Sequence, residues 1–317
     1  MTWMPFLCLG VGFLFGIRQL SDYILKTVDL VINVALIILM LTIGMNIGIN
    51  DSVILNLKTI GLNCIAISLS AITFSVLLVL LIEKTILPLG KLKEKLYLEN
   101  LEINIEINIE KEDQKKSSVM IWIIPFSIIS GILIGYFILS NYIKYLLDYF
   151  LIFSLIFLYI GVGINLGVNR KVFKYIKLIG LKVAFMPLAI FIGSLIGGLL
   201  SGVVLDIPTN ISVISASGMS YYSITGAYMT QVYGIEAGTY GFMVNVMREF
   251  FTVLLLPFLV KVSNGSPIAG GAAGNMDTML VPVTKFVGVE LGLVALITGV
   301  ILTFTVPFIL PILYGIL

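Results

Sequence analysis

Long apolar runs separated by short polar segments dominate the chain. They lie at Trp3–Ile17, Leu30–Ile49, Ile60–Ile82, Val119–Ile143, Leu147–Val168, Ile179–Val204, Thr239–Val262 and Gly288–Leu317. A helix needs roughly 20 apolar residues to cross the hydrocarbon core, and the short first run crosses if it tilts little. The pattern predicts eight crossings. Two further segments, Asp206–Tyr233 and Ser263–Val287, are moderately apolar but interrupted. The first is rich in Ser, Thr, Gly and Tyr, and the second holds the small-residue run Ala269–Gly274. Irregular backbone at membrane depth survives only where protein or a cavity surrounds it. Both segments therefore read as re-entrant hairpins or broken helices, with two ordinary surface loops as the plainer alternative. The expected fold class is an all-α polytopic membrane protein of about eight transmembrane helices plus these two hairpins.

Charge changes the picture only by giving it an orientation. Cytoplasmic loops carry an excess of Lys and Arg. With the N-terminus outside, the loops that face inward hold every basic residue except Lys58, Lys144 and Arg248. Both termini are then expected outside, in a bacterial plasma membrane. No Lys or Arg precedes the first run, so a cleavable signal peptide is not expected. The charged stretch at 84–118 becomes a cytoplasmic linker. Within it Leu101–Glu110 alternates with period two, as a strand would, although low complexity explains the pattern equally well.

Composition narrows the function. The 317 residues are 59% hydrophobic and only 11% charged, with a mean hydropathy of +1.11. That excludes a soluble enzyme, a disordered chain and a nucleic-acid binder, and makes the lipid bilayer the first partner. There is no His, which removes His general bases, Ser-His triads and His metal sites. Cys8 and Cys64 sit in apolar stretches without a metal or disulfide pattern. No P-loop is present, so neither ATP hydrolysis by this chain nor an organic cofactor is expected. Assembly as a homodimer is left open.

The sequence repeats internally. A shift of 119 brings Gly12 onto Gly131, Gly16 onto Gly135, and Ile43–Asp51 onto Val162–Arg170, matching Gly44/Gly163, Asn46/Asn165, Gly48/Gly167 and Asn50/Asn169. A shift of 54 brings Thr230, Gly234, Glu236 and Gly238 onto Thr284, Gly288, Glu290 and Gly292, and Pro257 onto Pro311. Each unit has an odd number of spans, so its copy must be inverted in the membrane. Inverted repeats with interrupted helices mark secondary transporters. The resulting division is repeat A at 1–83, linker at 84–118, inverted repeat A′ at 119–204, a hairpin plus helix at 205–262, and its inverted copy at 263–317.

Few polar groups fall at membrane depth, and each needs a reason. Glu249 lies halfway along its run, and an ionised side chain there costs roughly 2.5–3.5 kcal/mol on insertion scales. It reads as a cation or proton site, with Asn245 one turn away on the same face. A structural pair with Arg248 is the competing reading, but neighbours on a helix point about 100° apart. Arg248 itself can hold a substrate carboxylate or a neighbouring helix. Asp51 ends the second run beside Asn46 and Asn50. It is a site residue or an exposed helix-end carboxylate. Asp277 follows the glycine-rich run, where free backbone N–H groups around Gly274 suit an anion. Asp277 binds a cation or proton, or else caps the returning half-helix. In the first hairpin Gly218 supplies a bend, and Tyr222 and Ser223 supply hydroxyls.

Together these residues resemble the bacterial L-lysine exporters of the LysO type. The resemblance rests on Leu205-Asp206-Ile207-Pro208, Ser217-Gly218 with Tyr222-Ser223, Arg248-Glu249 followed by Leu256-Pro257, and Met276-Asp277. It implies secondary export of L-lysine, with Glu249 and Asp51 as the membrane carboxylates that matter. A proton is the expected coupling ion, with Na⁺ the other candidate. The candidate binding residues are Glu249, Asp51, Asp277, Arg248, Asn245, Asn46, Asn50, Asn165, Tyr222, Ser223, Gly218 and Gly274. The main rival is an organic-anion carrier coupled to Na⁺ or H⁺ in which Arg248 holds the anion. An intramembrane hydrolase lacks the residues it needs, and a channel fits two opposed hairpins less well than alternating access does.

Overall fold

The computed structural model describes residues 4–18, 21–98, 126–139, 144–168 and 179–317. Among the described residues there is helix and no strand. The alternating stretch Leu101–Glu110 lies outside them, as do Asn169, Arg170 and Lys177. In chain order the helices are α1 (Met4–Gly16), α2 (Asp22–Ile49), α3 (Asp51–Thr85), α4 (Leu89–Leu98), α5 (Phe126–Phe137), α6 (Lys144–Val168), α7 (Phe185–Leu205), α8 (Thr209–Ala216), α9 (Tyr222–Tyr233), α10 (Ile235–Val262), α11 (Gly265–Gly271), α12 (Leu280–Val287) and α13 (Val289–Ile316). The helices α2, α3, α6, α7, α10 and α13 contain the six candidate membrane spans, and α1 and α5 are shorter apolar helices. The protein is an all-helical polytopic membrane protein. Leu7, Leu14, Phe126, Phe137, Leu199, Val204 and Phe258 are exposed, as befits surfaces that face lipid rather than water.

Lipid tails offer no hydrophobic gain for helix association, so close backbone approach and hydrogen bonding must supply it. Small residues four apart make that approach here. A Cβ added to Gly12 of α1 would stand 2.1 Å from the Ile160 carbonyl of α6, and one on Gly163 would stand 2.4 Å from the Leu9 carbonyl. The same fit joins Gly44 and Gly48 of α2 to Gly131 and Gly135 of α5. Gly193 and Gly197 of α7 press on Ser75 and Ala71 of α3, at 2.5 and 2.6 Å from their Cα atoms to the added Cβ. These three seams build the frame that carries the interrupted helices.

The interruptions fall where the chain is small and polar. After α7, Asp206 turns left-handed (φ 53°) and Pro208 precedes α8. Between α8 and α9, Met219 and Ser220 also have positive φ, at 48° and 77°. That is a strained conformation for residues other than glycine. Between α11 and α12 the chain tightens into a 3-10 turn at Ala272–Met276, with Ala272 at φ 49°. The two breaks meet: the Ala273 N–H donates to the Met219 carbonyl at 2.9 Å.

Candidate functional site

Each break frees backbone groups that water would satisfy in a soluble loop. Both breaks are buried in protein, so side chains must do so. Asn245 of α10 serves the first break. Its Oδ1 accepts from the Ser220 N–H at 2.8 Å, and its Nδ2 donates to the carbonyls of Ser215 and Gly241 at 2.9 and 2.7 Å. Gly218 lies under the same amide, leaving no room for a Cβ. In the second break Asn275 donates to the Ile268 carbonyl at 2.7 Å, and Thr303 of α13 to the Ala273 carbonyl at 3.2 Å.

Arg248 joins the second break to the frame. It is 1% exposed. Its Nε and Nη2 donate to the Gly270 and Ala269 carbonyls at 3.3 and 3.0 Å, its Nη1 to Ser194 Oγ at 2.7 Å, and its Nη2 also to Ser75 Oγ at 3.2 Å. The two carbonyls belong to the C-terminal turn of α11, the end where a helix favours a cation. The two serines lie 3.2 Å apart across the seam of α3 and α7. The guanidinium is thus held by four uncharged oxygens.

Glu249, one residue on, points elsewhere. Its Oε1 accepts from the Thr278 hydroxyl at 3.1 Å, and a Cβ on Gly274 would stand 2.8 Å from the same oxygen. Asp277, exposed in this fold, lies within electrostatic reach of Glu249, and Tyr222 within reach of both. Two carboxyls, a tyrosine and a threonine hydroxyl therefore gather where the second break meets α10. Asp277 does not occupy the N-cap of α12, which Met279 holds; its Oδ1 accepts from the Thr278 N–H. Tyr222 stacks edge-on against Phe242, and Ser223 is buried in the first turn of α9.

The remaining sequence candidates lie apart from this cluster. Asn46 is buried between Gly44 and Gly48 on α2, and its Nδ2 has no partner among the described residues. Asn165 is half-buried between Gly163 and Gly167 on α6, and Asn50 is half-buried after α2. Asp51 is exposed at the start of α3. Ser75 lies on the same helix, about 36 Å further along at about 1.5 Å per residue. Asp51 and the Arg248–Glu249 region are therefore not brought together.

Sequence reading missed Thr278, Ser75 and Ser194. The serines carried a signal: they are 119 residues apart, the offset that relates the glycines and asparagines. Thr278 carried none, because a threonine beside a predicted turn is commonplace.

Comparison with known proteins covers the part of the chain that holds both breaks. The family described as "Lysine exporter LysO" matches residues 126–314, over half of the chain. A curated relative, "Lysine exporter LysO" of Escherichia coli strain K12, is 30% identical over 125 residues, 39% of this chain and 42% of that protein. A protein provisionally named a lysine exporter, from Haemophilus influenzae, is 28% identical over 130 residues, 41% of this chain and 67% of its own length. The match thus spans less than half the length of the first of these relatives. No solved structure matches.

Proposed function

This chain belongs to the lysine exporter LysO family, and from that premise we propose that it exports L-lysine across the bacterial plasma membrane by exchange for protons. The observation that carries the reading is the Glu249–Asp277 pair at the second break. A cationic amino acid needs a carboxylate for its ammonium, and a carboxyl halfway along a span, as Glu249 is, is rare because its insertion is costly; Asp277 adds a second negative charge within electrostatic reach. The Glu249 carboxylate, when protonated, is neutral and can cross the cycle without substrate. One site then holds either a proton or lysine, and the inward proton gradient drives lysine out. The relatives' names support the substrate; the acidic pair supports the cation.

The organic-anion alternative asks Arg248 to hold a carboxylate. Four protein oxygens already take its donors, which favours the cation reading. The decisive experiment is counterflow of radiolabelled lysine in proteoliposomes, with arginine, ornithine and citrate as competitors. Lysine accumulation without inhibition by citrate supports the reading; citrate-driven counterflow overturns it.

Alternating access follows from the architecture we assign. The contact of Gly12 with Gly163 becomes, on adding 119 to Gly12 and subtracting it from Gly163, the contact of Gly131 with Gly44, with the partners exchanged. Partner exchange is what a twofold axis produces, and it supports an inverted pair of three-helix units. We assign both termini to the outside and the linker at 84–118 to the cytoplasm. In a chain with Cys8 and Cys64 replaced by Ala, a Lys58→Cys variant should react with an impermeant maleimide in intact cells, and a Lys111→Cys variant should react only after lysis. The reverse pattern overturns the orientation.

A further inference from the structure

The chain carries two junctions of the same design, 54 residues apart. At each, a short helix ends on a glycine and a long helix follows at once. Gly234 (φ 94°, ψ 176°) joins α9 to α10, and Gly288 (φ 97°, ψ 158°) joins α12 to α13. Only glycine adopts this conformation readily. The closing bonds also match, Gly234 N–H to Thr230 and Gly288 N–H to Thr284, at 3.1 and 2.9 Å. Each long helix then carries a glutamate two residues past the glycine, Glu236 and Glu290.

The second junction shows what such a place holds. Lys93, from α4, donates its ammonium to the Val287 carbonyl at 2.8 Å. A Cβ on Gly288 would stand 2.8 Å from Lys93 Nζ and 2.7 Å from Glu290 Oε2. Ammonium and carboxylate thus flank one glycine, with the last carbonyl of the short helix completing the set.

The first junction has the acceptors and, among the described residues, no cation beside them. A Cβ on Gly234 would meet nothing within 4 Å. Beside it opens a cavity of about 310 Å³ lined by Tyr233, Glu236, Asp206, Asn63, Tyr240 and Pro208, among others. Tyr233 stands where Val287 stands and Glu236 where Glu290 stands. The cavity is of a size that small-molecule sites show, roughly 300–1,000 Å³. Its wall also offers a tyrosine–asparagine pair, Asn63 Nδ2 donating to Tyr240 Oη at 3.0 Å.

We propose that this cavity is a second binding site, for the primary ammonium group of a cationic amino acid or amine, with the Glu236 carboxylate and the Tyr233 carbonyl as its ligands. Asp206 adds a second negative charge at the rim. The proposal rests on the transport reading for its role, as a station on the face assigned to the outside, where substrate pauses after the central site. Its chemistry rests on Lys93 alone, which occupies the matching place at the other junction.

Cadaverine, a diamine without a carboxylate, is the probe for the ammonium subsite. It is titrated calorimetrically into the protein in nanodiscs, in a Glu249→Gln background that silences the central site and again in the parent chain. Binding is expected to persist in Glu249→Gln and to weaken about tenfold or more on adding Glu236→Gln, since a charge-assisted hydrogen bond is lost. Glu236 is exposed in the first turn of α10, so its substitution leaves the fold intact, which thermal unfolding checks. Cadaverine affinity unchanged within twofold by Glu236→Gln in both backgrounds overturns the proposal, as does no binding in either. Lysine counterflow by the parent chain decides the transport reading separately. Its failure alongside Glu236-dependent cadaverine binding sinks that reading and leaves the site.

Discussion

Glu249→Gln is expected to give a folded protein whose lysine transport falls to the level of empty vesicles. The glutamine keeps an oxygen for the Thr278 hydroxyl, whose bond to Glu249 is 3.1 Å long. It removes a charge whose insertion costs roughly 2.5–3.5 kcal/mol at the bilayer centre, so stability should hold or rise. What disappears is the carboxylate that alternates between a proton and the lysine ammonium. Because one group serves both, lysine/lysine exchange and proton-driven efflux should vanish together. If exchange survives while proton coupling is lost, the two ligands use different groups, and Asp277 becomes the substrate carboxylate. Uphill lysine movement by purified Glu249→Gln protein would end the single-site mechanism altogether.

Arg248→Ala is expected to damage the fold rather than selectively impair substrate binding. The guanidinium makes four hydrogen bonds, to Ser75, Ser194, Ala269 and Gly270. Its removal takes the donor from two carbonyls at the end of α11 and from two serine hydroxyls in the seam of α3 and α7, which keep only each other and the Ile190 carbonyl. At about 1 kcal/mol or more for each buried bond lost, the cost is about 4 kcal/mol, read as a lower unfolding temperature in detergent and faster proteolysis of the second break. Arg248→Lys should recover only part of this, because one ammonium cannot reach oxygens on three helices as a planar fork does. Full thermal stability of Arg248→Ala with lost lysine affinity would instead make Arg248 a substrate ligand.

Much of the architecture was legible because lipid restricts what a chain can do. Backbone groups must bond internally, so uninterrupted apolar runs had to be helices, and six long helices with two shorter ones lie on them. The same restriction made Asp206–Tyr233 and Ser263–Val287 conspicuous, and helices α8 and α9, then α11 and α12, are broken within them. Glu249 was legible for an energetic reason, since a carboxyl halfway along a span needs a purpose. Arg248 carries the weaker signal in sequence, a substrate ligand or a tie to a neighbouring helix in equal measure, and its partners separate it from its neighbour. Charge and spacing do not reveal whether a donor already has acceptors.

Local residue pattern is enough to tell which segments are helical, where two of them break, and at what offsets the chain repeats. Hydropathy and glycine placement are local properties, and the bilayer converts them directly into structure. It takes the packed fold to show that Gly12 packs on Gly163 instead of its sequence match Gly131, that Ser75 and Ser194 meet under Arg248, and that Thr278 reaches Glu249. An offset states that two segments are alike without stating that they touch. Contact depends on which small faces let two backbones approach and which polar atoms remain unsatisfied once they do.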